Sequence, residues 1–580
     1  HSSAMIVHVL ASDYDNTLAE HGRISETTAR ALARVRESGR KVMLVTGRML
    51  PELKSVCPDA DRMFDAIVAE NGAVVYFPER REVEVIGSAP EPALVEALRR
   101  RGVPIDLGSS IIATVEPHST AALAAIRDAG VERSLIFNKG AVMLLPGGVT
   151  KGTGLEVALA AMDLSAHNMV GIGDGENDHA FLSLSECAVA VADAVPALRE
   201  RADYVTRAPH GLGVTEFIEE HVLNDLADLL PRLARHRIAL GQDAEGQPVS
   251  LAAHGTGLLV VGPSATGKST LTGALVERLV QARRTVLLLD PEGDYQTLSE
   301  VEGVVVLGGK AEQTLPTPDE VSQLLRHPHT SLVLNLSAMT QPEKVDYATT
   351  ILAAMTAVRS STGLPHWLII DEAHHVMPAD GSPAAELLRA GPESFCLITL
   401  SADKLASPTL PHVNAVASTE LEALHAGIHA VLRTRPQPAP NPPSVDGGPL
   451  ERGDAALAWL ASPPRAVRFH VARTRVQHRR HIRKYTEGEL PPDRSFFFRG
   501  PQQTLNLRAA NLARFVELAD GVDEGTWAHH LRQRHYSAWV RDMIKDPELA
   551  AEIEGVESSG LSAAQSRRGV LDAIRARYAV

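Results

Sequence analysis

The stretch Gly262-Pro263-Ser264-Ala265-Thr266-Gly267-Lys268-Ser269, followed by Thr270, fits G-x-x-x-x-G-K-[ST] at every defined position. The apolar run Gly257–Val261 leads in, and the helix-like Thr270–Val280 leads out. A strand, a tight glycine loop and a helix in that order commit the middle of the chain to a parallel α/β sheet. They also disfavour an ordinary Gly/Ser-rich turn. In such a loop the backbone N–H groups point inward and the helix N-terminus adds its positive dipole end, which suits a triphosphate. The candidate ATP-binding residues are Gly262, Thr266, Gly267, Lys268, Ser269 and Thr270. Lys268 is expected to reach the β/γ-phosphates, and the Ser269 hydroxyl to hold Mg²⁺.

A chain of 580 residues has room for roughly three or four domains of ~150 residues. Charged residues make up 22% and hydrophobic residues 44%, a globular balance. No apolar run approaches the ~20 residues of a membrane span. His1–Ala4 reads as an expression scar, and Met5-Ile6-Val7 enters a strand directly, so neither a signal peptide nor a membrane partner is expected. Three widely spaced cysteines, Cys57, Cys187 and Cys396, suggest a reducing cytoplasm rather than a disulfide framework. The net charge of −14 argues against a non-specific nucleic-acid coat and confines any DNA contact to a local basic surface or a ring interior.

The first third carries a second constellation. The apolar strand Ile6–Ser12 ends in Asp13-Tyr14-Asp15-Asn16-Thr17-Leu18. This D-x-D-x-T pattern sets two carboxylates at the C-terminal edge of a sheet, where α/β sites form. Lys41–Val45 ends in Thr46-Gly47-Arg48; Lys151-Gly152 opens a helix after the turn at Pro146–Gly148; Asn168–Ile172 ends in Gly173-Asp174-Gly175-Glu176-Asn177-Asp178. Phosphoryl transfer needs an in-line nucleophile, an acid for the leaving group and charge neutralisation. Asp13 is the expected nucleophile, Asp15 the acid and base, and Thr46 and Lys151 the phosphoryl clamps. Mg²⁺ would be held by Asp13, the Asp15 carbonyl and Asp174, with Asp178 or Asn177 in support.

These four ordered motifs, with Glu70-Asn71-Gly72-Ala73 beside them, resemble the haloacid dehalogenase (HAD) phosphohydrolases, in particular their Cof-like and sucrose-phosphatase-like branch. The resemblance covers residues 5–215. It implies a Rossmann-like core and a small α/β cap at about 79–149, with helices at Glu91–Arg101 and Ser119–Gly130. Asn16 stands where the pattern has glycine; asparagine tolerates the backbone angles required. Nothing in the cap decides among sugar phosphates, phosphoglycolate and nucleotides. A helical connector is expected over 216–240, with Leu223–His236 as its helix.

Beyond the glycine loop, Thr285–Leu289 ends in Asp290-Pro291-Glu292-Gly293-Asp294-Tyr295. The apolar Trp367–Ile370 closes on Asp371-Glu372-Ala373-His374-His375. Asp371 would hold the Mg²⁺ water shell and Glu372 would polarise the attacking water. Residues 241–435 resemble the HerA/FtsK class of ring-forming ATPases, closer to HerA, which implies a RecA-like sheet and a homo-oligomer such as a hexamer. The pattern's basic Gly-Arg-Lys and its terminal Gln are replaced by Gly391–Phe395 and Thr399-Leu400-Ser401. Arg359, Arg389 and Arg433 are the candidates for an arginine finger. Adjacent His374 and His375 are expected to face opposite ways and to serve a structural or sensor role rather than a metal.

Pro436–Pro449 holds six prolines in fourteen residues, a stiff linker or excursion. The following basic run, Arg473 to Lys484, would either track phosphates or form ion-paired contacts. Residues 501–580 read as a mainly helical interaction module, with helices at Leu505–Leu518, Thr526–His535, Tyr536–Ala550 and Leu561–Tyr578, and with Trp527 and Trp539 as core anchors. Three functions fit: a Mg²⁺-dependent phosphohydrolase coupled to a ring-forming ATPase in DNA processing or anti-phage defence; a metabolite phosphatase regulated by ATP; and a nucleotide-locked scaffold. The substrate would be a phosphorylated small molecule, a nucleotide or a nucleic-acid end.

Overall fold

The computed structural model is described over residues 5–578, leaving aside 139, 234, 264–266, 310–313, 391–393, 436–440, 446–447, 462, 473–484, 486–487, 489, 491, 493, 504 and 545, and the side chains of 389 and 390. Thr266 and the basic run 473–484 therefore lie outside the described residues. The chain divides into two compact units, His1–Ala472 and Arg473–Val580.

The first unit contains two large sheets. The N-terminal one has eight strands, in the order Tyr204–Val205, Cys187–Ala190, Met169–Gly173, Val9–Asp13, Lys41–Val45, Ala66–Ala69, Val74–Phe77 and Glu82–Val85. The first six pair in parallel and the last two are antiparallel. The inner strands are apolar without alternation because helices cover both faces, so every position is buried. Glu82–Val85, inside the stretch expected for the cap, belongs to this core sheet. The cap beyond it is a four-stranded antiparallel sheet, Arg133–Asn138, Ala141–Pro146, Ile112–Val115 and Asp106–Leu107, carrying helices Pro92–Arg100 and Ser119–Ala129.

Two local devices aim the core at its site. Thr150 caps helix Lys151–Ala160 reciprocally: its hydroxyl accepts from the Thr153 amide, and the Thr153 hydroxyl accepts from the Thr150 amide. Gly72, at φ +105°, packs so close that a Cβ there would lie 1.8 Å from the Thr150 carbonyl oxygen. No other residue fits that approach.

The expected helix over Leu223–His236 does not form. The segment turns instead, with Asp225 and Leu226 at positive φ and a short 3₁₀ turn at Leu230–Arg232. Asp225 anchors the N-terminal strand: its carboxylate accepts the amides of Ile6 (2.7 Å) and Val7 (2.8 Å) and pairs with Arg40 (3.1 Å), pinning the entry to the sheet.

The second sheet has eleven strands. Seven are parallel: Ala415–Ser418, Gly257–Val261, Phe395–Thr399, Trp367–Ile370, Val286–Asp290, Ser331–Asn335 and Val304–Gly308. Four antiparallel strands extend one edge: Asp454–Trp459, Arg465–Val471, Ile238–Gln242 and Pro248–Leu251. After the proline-rich stretch the chain re-enters the sheet through the buried run Ala455–Ala458.

The unit Arg473–Val580 is a small hairpin, Phe496–Phe498 with Leu507–Ala509, followed by helices Leu512–Gly521, Glu524–Arg532, His535–Trp539, Pro547–Glu557 and Ala563–Arg577. The expected helix from Leu505 begins later because Leu507–Ala509 pairs as a strand. The one expected over Tyr536–Ala550 is broken before Pro547, which cannot continue a helix. Trp527 and Trp539 are buried anchors; Trp527 stacks on Tyr536 with centroids 4.3 Å apart.

Candidate active site

At the C-terminal edge of the N-terminal sheet, Lys151 Nζ lies 2.6 Å from Asp13 Oδ1 and 2.6 Å from Asp178 Oδ1. The strand ends at Asp13 and Gly173 and the capped helix at Lys151 bring them together. Asp178 Oδ2 accepts the amides of Asp174 (2.8 Å) and Gly175 (2.9 Å), which fixes the acidic turn. All four side chains are buried. Burial, then the negative charge of Asp178, pushes the Asp13 carboxyl well above its ordinary value, against the pull of Lys151. For Lys151 burial opposes the charge, but Asp13 and Asp178 outweigh it and hold the ammonium above its ordinary range.

Asp13, Asp174 and Asp178 each offer an oxygen, all within 4.8 Å of one another. Three buried carboxylates against one ammonium leave about two negative charges, and the donors are hard oxygens. That set fits Mg²⁺.

The structure separates Asp15 from this cluster. Its carboxylate is gripped by Arg48, with Nε and Nη2 each 2.8 Å away. Asn16 takes φ +60°, the conformation a glycine would adopt. Thr46 is buried, and its hydroxyl accepts the Arg48 amide at 3.1 Å. Asn177 donates to Asn71 Oδ1 (2.8 Å), and Asn71 in turn donates to Met143 of the cap.

Three further residues contribute beyond those that spacing in the sequence singles out. Thr17 Oγ1 lies 3.3 Å from Asp13 Oδ2 and 3.1 Å from Asp174 Oδ1; its place in D-x-D-x-T was the signal available. Arg48 grips Asp15 as described. Glu70 accepts the amides of Ser109 (2.8 Å), Ser110 (3.0 Å) and Ile111 (3.2 Å), a bond set that ties the cap to the core.

In the second sheet the strand Gly257–Val261 delivers the loop to helix Lys268–Gln281, with Gly262 at φ +150° and Gly267 at φ +103°. Lys268 Nζ donates to the carbonyls of Gly262 (2.7 Å) and Pro263 (2.8 Å). Ser269 and Thr270 are at the helix start, both half-buried. Asp371 and Glu372 follow Trp367–Ile370, two places from the loop strand across the sheet. Burial, then Asp290 and Glu372, pushes the Asp371 carboxyl up to about 7. Glu372 takes φ +40°, an uncommon conformation for a side-chain-bearing residue and one that clusters at functional positions.

His374 and His375 do not face apart: a 3₁₀ turn sets their rings 4.5 Å from each other. His374 Nδ1 lies 3.2 Å from the Thr399 hydroxyl, at the strand end where the pattern has its Gln. Of the finger candidates, Arg359 is buried and donates to the His366 carbonyl, so it serves the fold. Arg433 is exposed on helix Leu421–Arg433.

With this geometry in place, comparison with known proteins gives two family matches. The family model described as haloacid dehalogenase-like hydrolase matches residues 10–105 and 111–218. The model described as helicase HerA, central domain, matches residues 242–360. A phosphoglycolate phosphatase of Methanothermobacter thermautotrophicus is 34% identical over 223 residues, covering 37% of this chain and 97% of the relative. Phosphoglycolate phosphatase 2 of Saccharolobus solfataricus is 31% identical over 219 residues, 37% of this chain and 91% of its own. A solved haloacid dehalogenase-like hydrolase from Bacteroides thetaiotaomicron covers 37% of this chain and 98% of its own, at 20% identity and a TM-score of 0.33.

Proposed function

The chain belongs, through its N-terminal part, to the haloacid dehalogenase-like hydrolases, and from that premise we propose that it is a Mg²⁺-dependent phosphomonoesterase acting on a small phosphorylated acid of the phosphoglycolate kind. The observation that carries this reading is the buried Lys151 ammonium held at 2.6 Å by both Asp13 and Asp178, beside Asp174. Asp13 attacks phosphorus; an aspartyl-phosphate bond forms as the ester P–O bond breaks. Asp15 donates a proton to the departing oxygen, then takes one from the water that cleaves the acyl-phosphate. Thr46 and Lys151 hold the phosphoryl oxygens. Asp13, Asp174 and Asp178, with the Asp15 carbonyl, would hold Mg²⁺, and the ion would supply neutralisation of phosphoryl charge. The named substrate of the relatives supports the acid.

The match to the HerA central domain supports an ATP-binding domain in which Lys268, Ser269 and Asp371 hold the nucleotide and its Mg²⁺, Glu372 orients water, and subunits assemble as a homo-oligomer, a hexameric ring in the fullest form. It also favours a second reading, in which that ring engages DNA and the phosphatase acts on nucleic-acid ends. Phosphate release by the full chain from phosphoglycolate, sugar phosphates, nucleotides and end-phosphorylated DNA separates the two. The acid is expected to be preferred. Asp13→Asn is expected to lower turnover by more than about 10³-fold, and a chelator to abolish it. Preference for DNA ends would install the second reading, and full activity in Asp13→Asn would sink both. Lys268→Ala is expected to remove ATP binding and leave Asp13 chemistry in place.

A further inference from the structure

A cavity of about 360 Å³ lies between the two sheets of the first unit, a volume in the small-ligand range of roughly 300–1,000 Å³. Four arginines, 235, 237, 283 and 284, line it against one carboxylate, Glu156. Three of these charges are met by carboxylates (Asp203, Glu156 and Glu186), which leaves an excess of one positive charge in a chain of net charge −14.

The four guanidiniums are not equally committed. Arg235 is paired with Asp203 at 2.8 Å. Arg284 is bound by both oxygens of Glu186, at 2.8 and 2.9 Å. Arg283 meets Glu156 at 2.9 Å with its side chain 69% exposed. Arg237 donates only to the hydroxyl and carbonyl of Ser250, each at 2.8 Å, and has no carboxylate partner among the described residues. Burial, then the nearby Arg465 guanidinium, disfavours its charge, and a negative ligand there would offset the repulsion between the two guanidiniums.

Donor count selects the class of anion. Arg237 uses two of its five N–H donors and Arg283 one, leaving more than the two oxygens of a carboxylate accept. A tetrahedral phosphate takes them. The apolar wall of Leu159, Leu164 and Leu184 suits an organic portion. The neighbouring group His167, Glu186 and His236 has ligand atoms within 4.8 Å of one another, as a metal would need. However, Arg284 occupies both Glu186 oxygens, which makes it an ion-paired junction instead.

Each wall also runs to an active site. Helix Lys151–Ala160 carries Lys151 at one end and Leu159 at the other; helix Lys268–Gln281 carries Lys268 and Gln281 likewise. His167 precedes the strand leading to Asp174, and Arg284 the strand ending at Asp290. We propose that this cavity binds a phosphate-bearing anion, inorganic phosphate or a nucleoside phosphate, and so links the phosphatase and P-loop domains through elements they each contribute.

The test is equilibrium dialysis of labelled phosphate and of labelled AMP against the full chain carrying Asp13→Asn and Lys268→Ala, with further substitutions added to that background. The expected result is a saturable component that Arg237→Gln weakens at least tenfold, Arg283→Gln weakens severalfold, and Glu156→Gln strengthens by removing the rival carboxylate. Tighter AMP binding identifies a nucleoside phosphate as the ligand, and binding of phosphate alone identifies the inorganic ion. Binding unchanged in both arginine variants, or unaltered by Glu156→Gln, overturns the proposal. Arg283 and Glu156 lie toward the surface, so those two variants decide the matter even where Arg237→Gln fails to fold.

Discussion

Thr17 stands between two buried carboxylates, within 3.3 Å of Asp13 and 3.1 Å of Asp174, and a neutral hydroxyl there separates like charges without adding one. Thr17→Val keeps the shape and removes the hydrogen bonds. Groups that orient metal-holding carboxylates typically matter by roughly 10–100-fold, so the variant is expected to need that much more Mg²⁺ for half-maximal phosphatase activity. A magnesium titration identical to the parent would reduce Thr17 to packing. At this scale the sequence was legible wherever spacing along one element fixes chemistry. Asp13 and Asp15 follow one strand end, and Lys268 and Ser269 open one helix. It was silent on Arg48 and Glu70, whose partners lie thirty or more residues away and depend on how the sheet folds.

Among elements, the apolar strands were readable to within a few residues, because burial on both faces leaves no polar interruption. The misread segments are those where a tertiary partner overrides local preference. Leu223–His236 has helical composition, yet Asp225 turns the chain to hold Ile6 and Val7. Leu507–Ala509 pairs with Phe496–Phe498 rather than starting a helix. Helix Glu524–Arg532 carries a prediction of its own. His530 Nε2 accepts the Arg499 amide (3.1 Å), so the buried ring is neutral. Burial, then His535 and His529, lowers its pKa to about 4. The unfolded ring titrates near 6.5 and binds a proton first, so folding stability is present above that pH and is lost as pH falls from 6.5 toward 4. After screening, the cost is on the order of 1–2 kcal/mol. Hydrogen exchange over residues 524–540 is expected to quicken between pH 7 and 5 beyond the intrinsic change, and His530→Gln is expected to remove most of that dependence.

For the molecule as a whole, the decisive contact is the junction between the two sheets of the first unit. Glu186 accepts from Arg284 and lies 2.7 Å from His167 and 2.8 Å from His254. Burial alone would raise its pKa, but Arg284, His254 and His167 outweigh that and hold it well below the ordinary value. Removing one partner of a buried pair strands the other, at a cost of about 3–5 kcal/mol. Glu186→Ala is therefore expected to split a shared calorimetric transition of the two α/β domains into two, or to lower both markedly. An unchanged single transition would show that the domains couple by other contacts.

What the sequence by itself determined is the placement of short, ordered motifs: Asp13 and Asp15 at one strand end, the glycine-rich loop after Gly257–Val261, and Asp371–Glu372 after Trp367–Ile370. These rest on the periods of strand and helix, which local residues set. What only the tertiary structure decided is everything made by residues remote in the chain. Glu70 reaches the Ser109 amide across 39 positions and Arg284 reaches Glu186 across 98. The strands Asp454–Trp459 and Arg465–Val471 return to the P-loop sheet, and an arginine-lined cavity forms between the two sheets of the first unit. Such contacts depend on which surfaces meet once the apolar faces are buried, and no spacing along the chain encodes that choice.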